Sequence, residues 1–430
     1  MNTIKNLDFC SIAEWFAIGF FLEKKSFYKN DSVPFLEFGP DIKWHYSPKN
    51  ITFNDALDQY SILFNDIINK KSKGKKIILP ISGGLDSRTI AAALKDHNNV
   101  IVISYEYLNG VEETKYAEEI AKTYDWEFHR FKIEKGYLWD KIDQISNINR
   151  CYSEFTHPRQ MAIIDKINRF DGDLLILGHW GDVLFTLPQI SENASLEEQS
   201  QFVINMVTKP GGIELATDLW EEWGLRGTFM ESLYSSINNS LIKINIDHPQ
   251  TRVRAFKSLN WARRWANPNL NIFKSNSDIF IPYYEKSICE FICSTPSKYL
   301  NNRRLQIEFL KNQAPELAKI NWQEYDLNLY KYKYFNSIYL PKRIYKYFIR
   351  NLIAKRKIIQ RNWELQFLGK SNLNNIESWL FETPELNTII PTSIINDYYT
   401  RFKNIDKVKY SHCVSMLLTL AVWSKKFQKV

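Results

Sequence analysis

The sequence predicts an α/β protein in which a doubly wound parallel sheet is followed by a largely helical C-terminal domain. Short apolar runs, typical of buried strands, alternate with segments of helical periodicity between residues 77 and 177. From about residue 195 onward, helical periodicity dominates. Strands that alternate with helices favour a parallel sheet covered by helices on both faces. We therefore divide the chain into a short N-terminal segment, 1–52, an α/β domain, 53–194, and a helical domain, 195–430.

The elements follow one another along the chain. The aromatic N-terminal segment contains one apolar run, residues 17–21, that predicts a strand. Apolar groups at helical spacing predict a helix over residues 53–70. The remaining predicted strands are 77–81, 100–104, 127–131 and 173–177, and the predicted helices between them are 86–94, 112–124 and 158–169.

One strand-to-helix junction carries a binding motif. Residues 82–87 read Ser-Gly-Gly-Leu-Asp-Ser and lie between the strand 77–81 and the helix 86–94. Glycine has no Cβ, so backbone N–H groups at this turn can close on an anion, and the helix dipole adds positive potential. The spacing is not that of the Walker loop, GxxxxGK[ST]. The junction therefore predicts a phosphate-binding loop of another class.

A second junction lies at the end of the strand 173–177, where residues 178–182 read Gly-His-Trp-Gly-Asp. Ligands of doubly wound sheets bind beyond the carboxyl ends of the strands. Both junctions lie at such ends. We therefore expect residues 82–87 and 178–182 to come together in one site.

The net charge of +8 has a local origin. Between residues 341 and 361 there are eight basic residues and no acidic residue. The rest of the chain is balanced, so no general affinity for nucleic acid is indicated. Apolar pairs at helical spacing predict an amphipathic helix over residues 341–356. Two interpretations stay open: its apolar face packs on the helical domain, or it lies against an anionic membrane surface or a polyanionic substrate.

Composition argues against several classes of protein. No apolar run reaches the roughly 18 residues of a membrane span, and the first residues lack the features of a signal peptide. The five cysteines are scattered and include no C-x-x-C pair, which argues against a zinc ribbon or a disulfide framework. We expect a cytoplasmic protein in which the segment 341–361 is the candidate for a peripheral membrane contact.

The order of four motifs resembles the synthetase half of the asparagine synthetase family, from about residue 53 to the C-terminus. The loop 82–87 matches the SGGxDS pyrophosphate loop in full. Residues 178–185 stand where that family has G-E-G-A-D-E-L-F, and residues 281–285, Ile-Pro-Tyr-Tyr-Glu, resemble its V-P-F-L-D. The apolar tail 417–427, with its late tryptophan, resembles the closing helix of the family.

This resemblance implies an adenine nucleotide alpha hydrolase-like sheet with ATP and Mg²⁺ as cofactors. Such enzymes cleave ATP between the α and β phosphates, and Asp86 and Asp182 stand where the magnesium carboxylates are expected. Asp182 is also a suitable helix N-cap, and the two roles can coexist. The residues expected around the nucleotide are Pro80, Ser82, Gly83, Gly84, Leu85, Asp86, Ser87, Arg88, Ile103, Leu177 and Gly178.

The chain departs from the family pattern at three places. Position 2 is Asn2 and not the cysteine nucleophile of the glutaminase domain, and residues 1–52 are too short for that domain, so we expect no hydrolysis of glutamine. His179 replaces a glutamate and is either a base near neutral pH or a hydrogen-bonding core residue. The catalytic lysine of the family is not evident. Arg304 is the candidate to stabilise phosphate charge there, although it cannot shed a proton as lysine can.

The resulting hypothesis is an ATP-dependent, AMP-forming amide ligase that activates a carboxylate as an acyl-adenylate and transfers it to ammonia or an amine. The carboxylate belongs to a small molecule, a sugar acid or a peptide, and the nitrogen comes from solution or from a separate protein. Two alternatives stay open: a nucleotide-binding module without catalysis, or another pyrophosphate-loop enzyme such as a tRNA-thiolating enzyme or NAD synthetase. The scattered cysteines disfavour thiolation, and NAD synthetase leaves the long helical half unexplained.

Overall fold

The computed structural model describes the greater part of the chain. The residues that it describes are 6–31, 42–275, 277–335, 337–341, 344–345 and 358–428. The amphipathic helix predicted for 341–356 falls almost entirely outside this set.

A five-stranded parallel sheet forms the centre of the protein. Its strands are β1, Ile77–Pro80; β2, Val100–Tyr107; β3, Glu127–Ile133; β4, Leu174–Ile176; and β5, Ile279–Phe280. They lie in the order β3-β2-β1-β4-β5, and all neighbours pair in parallel. The chain winds outward in one direction from β1 and in the other from β4, so a crevice suited to ligands lies between these two strands. The predicted doubly wound α/β fold is confirmed.

The central position of β1 explains its composition. Ile77 pairs with Val100 of β2 on one side and with Leu174 of β4 on the other. Ile77, Ile78 and Leu79 are at most 2% exposed. A parallel strand covered on both faces has no solvent side, so it reads as an unbroken apolar run.

Helices flank the sheet and form most of the remaining described chain. In chain order they are α1, Phe9–Ile18; α2, Phe53–Ser72; α3, Leu85–Ala93; α4, Thr114–Thr123; α5, Tyr137–Asn149; α6, Ile164–Ile167; α7, Gly181–Leu184; α8, Leu196–Val207; α9, Gly212–Glu222; α10, Phe229–Ile242; α11, Pro249–Phe256; α12, Asn267–Lys274; α13, Lys286–Ser294; α14, Ser297–Leu300; α15, Arg304–Gln313; α16, Pro315–Lys319; α17, Asn362–Phe367; α18, Lys370–Phe381; α19, Pro384–Asn387; α20, Thr392–Asn404; and α21, Lys407–Phe427. A π-helix, Lys257–Ala266, joins α11 to α12.

Side chains fix several helix starts. Thr52 and Asp55 form a reciprocal capping box at the start of α2. Ser195 and Glu198 do the same at the start of α8. Each box satisfies two backbone N–H groups that have no partner within the helix, so these boundaries are set by local sequence.

Three sequence predictions need correction. The run 17–21 is not a strand, because α1 continues to Ile18 and ends at Gly19, whose φ of 84° is readily adopted by glycine. The predicted helix 158–169 is divided into a 3-10 turn, Arg159–Ala162, and α6. The segment expected to be helical supplies β5, which is too short to show a strand pattern.

The closing helix α21 holds the N-terminal segment in place. Most of its residues are buried. His412 Nε2 lies 2.9 Å from the Phe16 carbonyl oxygen, and the Trp423 ring stacks on Phe27 with centroids 4.1 Å apart. The apolar tail is therefore a core helix. Among the described helices none is both long and apolar enough to cross a bilayer.

Candidate active site

The two glycine junctions meet beyond the ends of β1 and β4. They line a cavity of about 390 Å³, and the Asp182 backbone N–H donates to Asp86 Oδ2 at 3.2 Å. The expected site residues that line this cavity are Pro80, Ser82, Gly84, Leu85, Asp86, Ser87, Leu177, Gly178, His179 and Asp182.

The loop 82–87 is shaped by its own serines. Ser87 Oγ accepts from the Ser82 N–H at 3.2 Å, and Ser82 Oγ accepts from the Gly84 N–H at 3.2 Å. Gly84 is the N-cap of α3 and supplies no side-chain cap. The first backbone N–H groups of α3 therefore receive no side-chain cap and are available to a ligand in the cavity. Helix N-termini of this kind bind anions.

A close approach of the two junctions requires glycine at position 178. A Cβ at Gly178 would lie 2.8 Å from the backbone nitrogen of Ser87. Backbone cannot yield as a flexible side chain does, so any larger residue would push the second junction away from the loop. This contact explains why residue 178 is a glycine.

Asp86 is the most strongly perturbed acid of the cavity. Arg303 forms an ion pair with its carboxylate, and Gln306 Nε2 donates to Oδ1 at 3.0 Å. Burial raises the pKa of Asp86 to about 6; Arg303 opposes this rise and the charge of Asp182 adds to it. Asp182 is exposed, but its charge acts on Asp86, so a cation between the two carboxylates is favoured.

Backbone geometry decides which arginine reaches this site. Arg303 has a left-handed backbone (φ 60°) and immediately precedes α15, and its guanidinium lines the cavity. Arg304 is exposed, and its guanidinium lies 4.1 Å from the Phe53 ring centroid. Arg304 therefore does not line the cavity in which it was expected to stabilise phosphate charge, and Arg303 occupies that place. Non-glycine residues with positive φ are uncommon and cluster at functional sites.

The donor set fits a magnesium ion that is shared with phosphates. No group of three or more histidine, cysteine, aspartate or glutamate side chains converges anywhere in the described part of the chain. Asp86 and Asp182 nevertheless line one cavity beside a helix N-terminus. Mg²⁺ is usually held by one or two carboxylates and completes its shell with phosphate oxygens and water, so two aspartates are sufficient.

His179 is not poised as a base near neutral pH. Burial lowers the pKa of this imidazole to about 4, even though the charge of Asp182 opposes the shift. Its Nδ1 is buried and has no hydrogen-bond partner within the described residues. The ring is therefore neutral at pH 7, and a proton bound to it is released readily.

Three further residues expected around the nucleotide do not line the cavity. The Arg88 guanidinium is fully buried and donates to the carbonyl oxygens of Ile320 at 2.7 Å and Asn321 at 2.8 Å. It ties the loop helix to the chain beyond α16. Gly83 lies against the Gln323 side chain, and Ile103 is buried in the sheet, where its carbonyl accepts from the Ile81 N–H at 2.9 Å.

A second cavity of about 1250 Å³ adjoins the first. Both are lined by Gly84, Tyr105, Glu113, Arg159 and Arg303. Aromatic side chains are frequent in the larger cavity and include Tyr107, Tyr116, Trp322 and Tyr325. A ligand in the first cavity therefore has direct access to a roomy, largely aromatic space.

Arg159 lies at the boundary between the cavities and was not expected from the sequence. Its guanidinium donates to the Tyr107 hydroxyl at 2.9 Å and lies 5.7 Å from the Tyr105 ring centroid. Its described side-chain contacts are with these two tyrosines, and the charge of Glu113 also acts on it. The short turn around it shows no motif, so only its position in the fold identifies it as a candidate binding residue.

A parallel α/β sheet with a glycine loop and two aspartates at its switch point defines a pyrophosphate-loop nucleotide-binding domain. Residues 73–186 match the family model of asparagine synthase, which confirms the resemblance for that part of the chain. The tRNA-specific 2-thiouridylase MnmA of Buchnera aphidicola subsp. Schizaphis graminum (strain Sg) is 24% identical over 181 residues, covering 36% of this chain and 47% of that relative. The match thus spans about half the length of the curated relative. The two similarities support an ATP-pyrophosphatase-type enzyme with an adenine nucleotide alpha hydrolase-like fold.

Proposed function

We propose that the protein is an ATP-dependent, AMP-forming amide ligase of the asparagine synthetase type. The observation that carries this proposal is the junction of two cavities at Gly84, Arg159 and Arg303. The smaller cavity has the loop, the aspartates and the size for a nucleotide. The larger cavity has room for a second substrate whose reacting group would meet the α-phosphate at the junction.

The reaction has two steps. A carboxylate oxygen of the substrate attacks the α-phosphorus of ATP, an oxygen–phosphorus bond forms, and pyrophosphate leaves with the electron pair of the broken bond. Ammonia or an amine then attacks the acyl carbon, and AMP leaves as the amide bond forms. The amine loses one proton in this step. Glu113, the carboxylate that borders both cavities, is the residue that we assign to hold the amine and receive that proton.

Residues of the loop, and Arg303 directly before α15, would act on the phosphates. The N–H groups at the start of α3 and the hydroxyls of Ser82 and Ser87 would bind the leaving pyrophosphate. Mg²⁺, held by Asp86 and Asp182, would neutralise negative charge on the phosphates. Arg303 is paired with Asp86. Its guanidinium lies close enough to the loop to exchange that carboxylate for a phosphate oxygen.

Arg159 would hold the carboxylate before adenylation. A carboxylate and a triphosphate repel each other, and a cation between the two cavities offsets that repulsion. The tyrosines around Arg159 fix its guanidinium without neutralising it. The aromatic walls of the larger cavity favour a substrate with rings or apolar groups, such as a sugar acid or a peptide. Aspartate, which would give asparagine, is a smaller substrate that this cavity also has room for.

The cysteines do not favour the thiolating alternative. Cys151, Cys289, Cys293 and Cys413 are buried, and burial raises the pKa of each thiol. Cys10 is exposed, and its thiol pKa is also raised, mainly by partial burial. Sulfur transfer through protein thiols needs accessible thiolates. We assign the reaction to the cytoplasm, because it consumes ATP and the thiols are free. We assign ammonia, or an amine supplied by a separate protein, as the source of the nitrogen.

The test is nucleotide chromatography with a panel of carboxylates that includes aspartate, glucuronate and short peptides, with and without ammonia. We expect AMP and pyrophosphate in equal amounts and an amide product, and no release of glutamate when glutamine is added. Formation of ADP and phosphate would contradict the mechanism. Tight ATP binding without turnover of any panel member would favour the alternative of a module that has lost catalysis.

A further inference from the structure

In the described part of the chain, the exposed apolar side chains are concentrated in one stretch, residues 330–345, of which 336, 342 and 343 lie outside the described residues. Of the eleven large hydrophobic residues that are exposed in that part, six lie in this stretch. Ile338 is 71% exposed and Tyr345 is 66% exposed. The six are Tyr330, Tyr334, Ile338, Leu340, Ile344 and Tyr345. Leu340, Ile344 and Tyr345 lie together at one cavity, and exposed apolar groups that are grouped in this way mark an interaction surface.

The same stretch lies in the most basic part of the chain. Between Asp326 and Glu364 the sequence contains ten lysine and arginine residues and no acidic residue. Lys331 and Lys333 alternate with the exposed tyrosines and are themselves exposed. Ten cations exceed the net charge of +8, so the rest of the chain carries a small negative excess. Lys331 and Lys333 are the described cations of this surface, so we expect a partner that is anionic and that also accepts apolar groups.

We propose that the described residues of the stretch 330–345 bind the surface of an anionic lipid bilayer. Lysine and arginine are drawn to anionic headgroups, while tyrosine and aliphatic side chains enter the boundary between headgroups and acyl chains. A nucleic acid would satisfy the cations, but its phosphate backbone offers nothing to Ile338 and Ile344. The combination of charge and exposed apolar groups favours the bilayer.

The surface also lies at the wall of the larger cavity. Leu340, Ile344 and Tyr345 contribute to that wall. A substrate that enters beside them would come from the lipid surface, so we infer a carboxylate or amine carried on a lipid. This last step rests on the proposed ligase function, whereas binding to the bilayer does not.

Sedimentation with vesicles tests the bilayer surface in the absence of nucleotide. The full chain is mixed with vesicles of phosphatidylcholine, or of phosphatidylcholine and phosphatidylglycerol in equal parts, at low and at moderate salt. We expect sedimentation with the second kind, weakened by salt. Lys331→Gln with Lys333→Gln should lower the partition coefficient about 30-fold, and Ile338→Ser with Tyr345→Ser should weaken binding even at low salt.

Matched variants on α2 and at the residue directly after it serve as controls. Lys70→Gln with Lys73→Gln removes the same charge, and Ile62→Ser removes an apolar side chain that is 65% exposed. These variants should sediment like the wild type. Recovery of the wild type in the supernatant under all conditions would overturn the proposal, and so would retention on tRNA without binding to vesicles. Failure of ATP turnover with vesicle binding intact would refute the ligase function and leave the lipid surface standing.

Discussion

Replacing Arg303 by glutamine is expected to destabilise the protein more at pH 8 than at pH 5. The ion pair between Arg303 and Asp86 is shielded, with side chains 13% and 19% exposed. The pKa of Asp86 is raised to about 6 by burial while Arg303 opposes that rise. Loss of the guanidinium leaves the desolvated carboxyl without its cation, so its pKa should rise further.

The size of the effect follows from proton linkage. A folded-state pKa above the unfolded value of 3.8 means that the folded protein binds more protons, so stability falls as pH rises through the window between the two values. In the wild type this fall ends just above pH 6. In the variant the fall in stability continues towards pH 8. A rise of two further units in the pKa of Asp86 corresponds to about 3 kcal/mol of unfolding free energy. That is the order expected when one member of a buried pair is removed.

The assay is urea denaturation of the ligand-free protein at pH 5 and at pH 8, followed by tryptophan fluorescence. Near pH 5 the Asp86 carboxyl is mostly protonated in both proteins, so the variant should lose little unfolding free energy there. Arg304→Gln is the matched control, because this neighbouring arginine is exposed and its guanidinium lies over the Phe53 ring. It should cost at most about 1 kcal/mol, and equally at both pH values. If Arg303→Gln lowers the unfolding free energy equally at both pH values, the proposed link between this ion pair and the protonation of Asp86 is refuted.

Four other outcomes are expected. Asp86→Asn should abolish magnesium-dependent AMP release, since one positioned charge is worth several kcal/mol in the transition state, while the far-ultraviolet circular dichroism stays native. Turnover at the wild-type rate would contradict the assignment of residues 82–87 as a pyrophosphate loop. His179→Gln should leave the shape of the pH–activity profile between pH 6 and 8 unchanged, because the pKa of this imidazole is about 4; disappearance of an acidic limb in that range would reverse the interpretation. Gly178→Ala should weaken ATP binding in calorimetry at least tenfold, because its Cβ meets backbone at 2.8 Å; unchanged affinity would show that the two junctions separate easily. Arg159→Gln should raise the KM of the carboxylate about tenfold and leave the Kd of ATP unchanged; equal losses for both ligands would place this arginine at the nucleotide.

The sequence by itself determined the fold class and the centre of the site. An unbroken apolar run, a glycine turn and a helix start are local features, so residues 77–94 specify a strand, an anion-binding loop and a helix without reference to the rest of the chain. The second junction could be placed beside the loop because parallel strands bring their carboxyl ends to one edge of the sheet. The hydrogen bond from Asp182 to Asp86 agrees with that argument.

Only the tertiary structure decided which cations face the cavities. Arg88, Arg303 and Arg304 all lie near the expected site in sequence, but the direction of each side chain depends on backbone angles and on packing partners far along the chain. Arg88 is turned to the carbonyls beyond α16, and a left-handed backbone turns Arg303 to Asp86 while Arg304 stays on the surface. Arg159 reaches the boundary of the cavities from a turn without any motif. Periodicity fixes the face of a helix, whereas the burial of a charge is settled by contacts between distant segments.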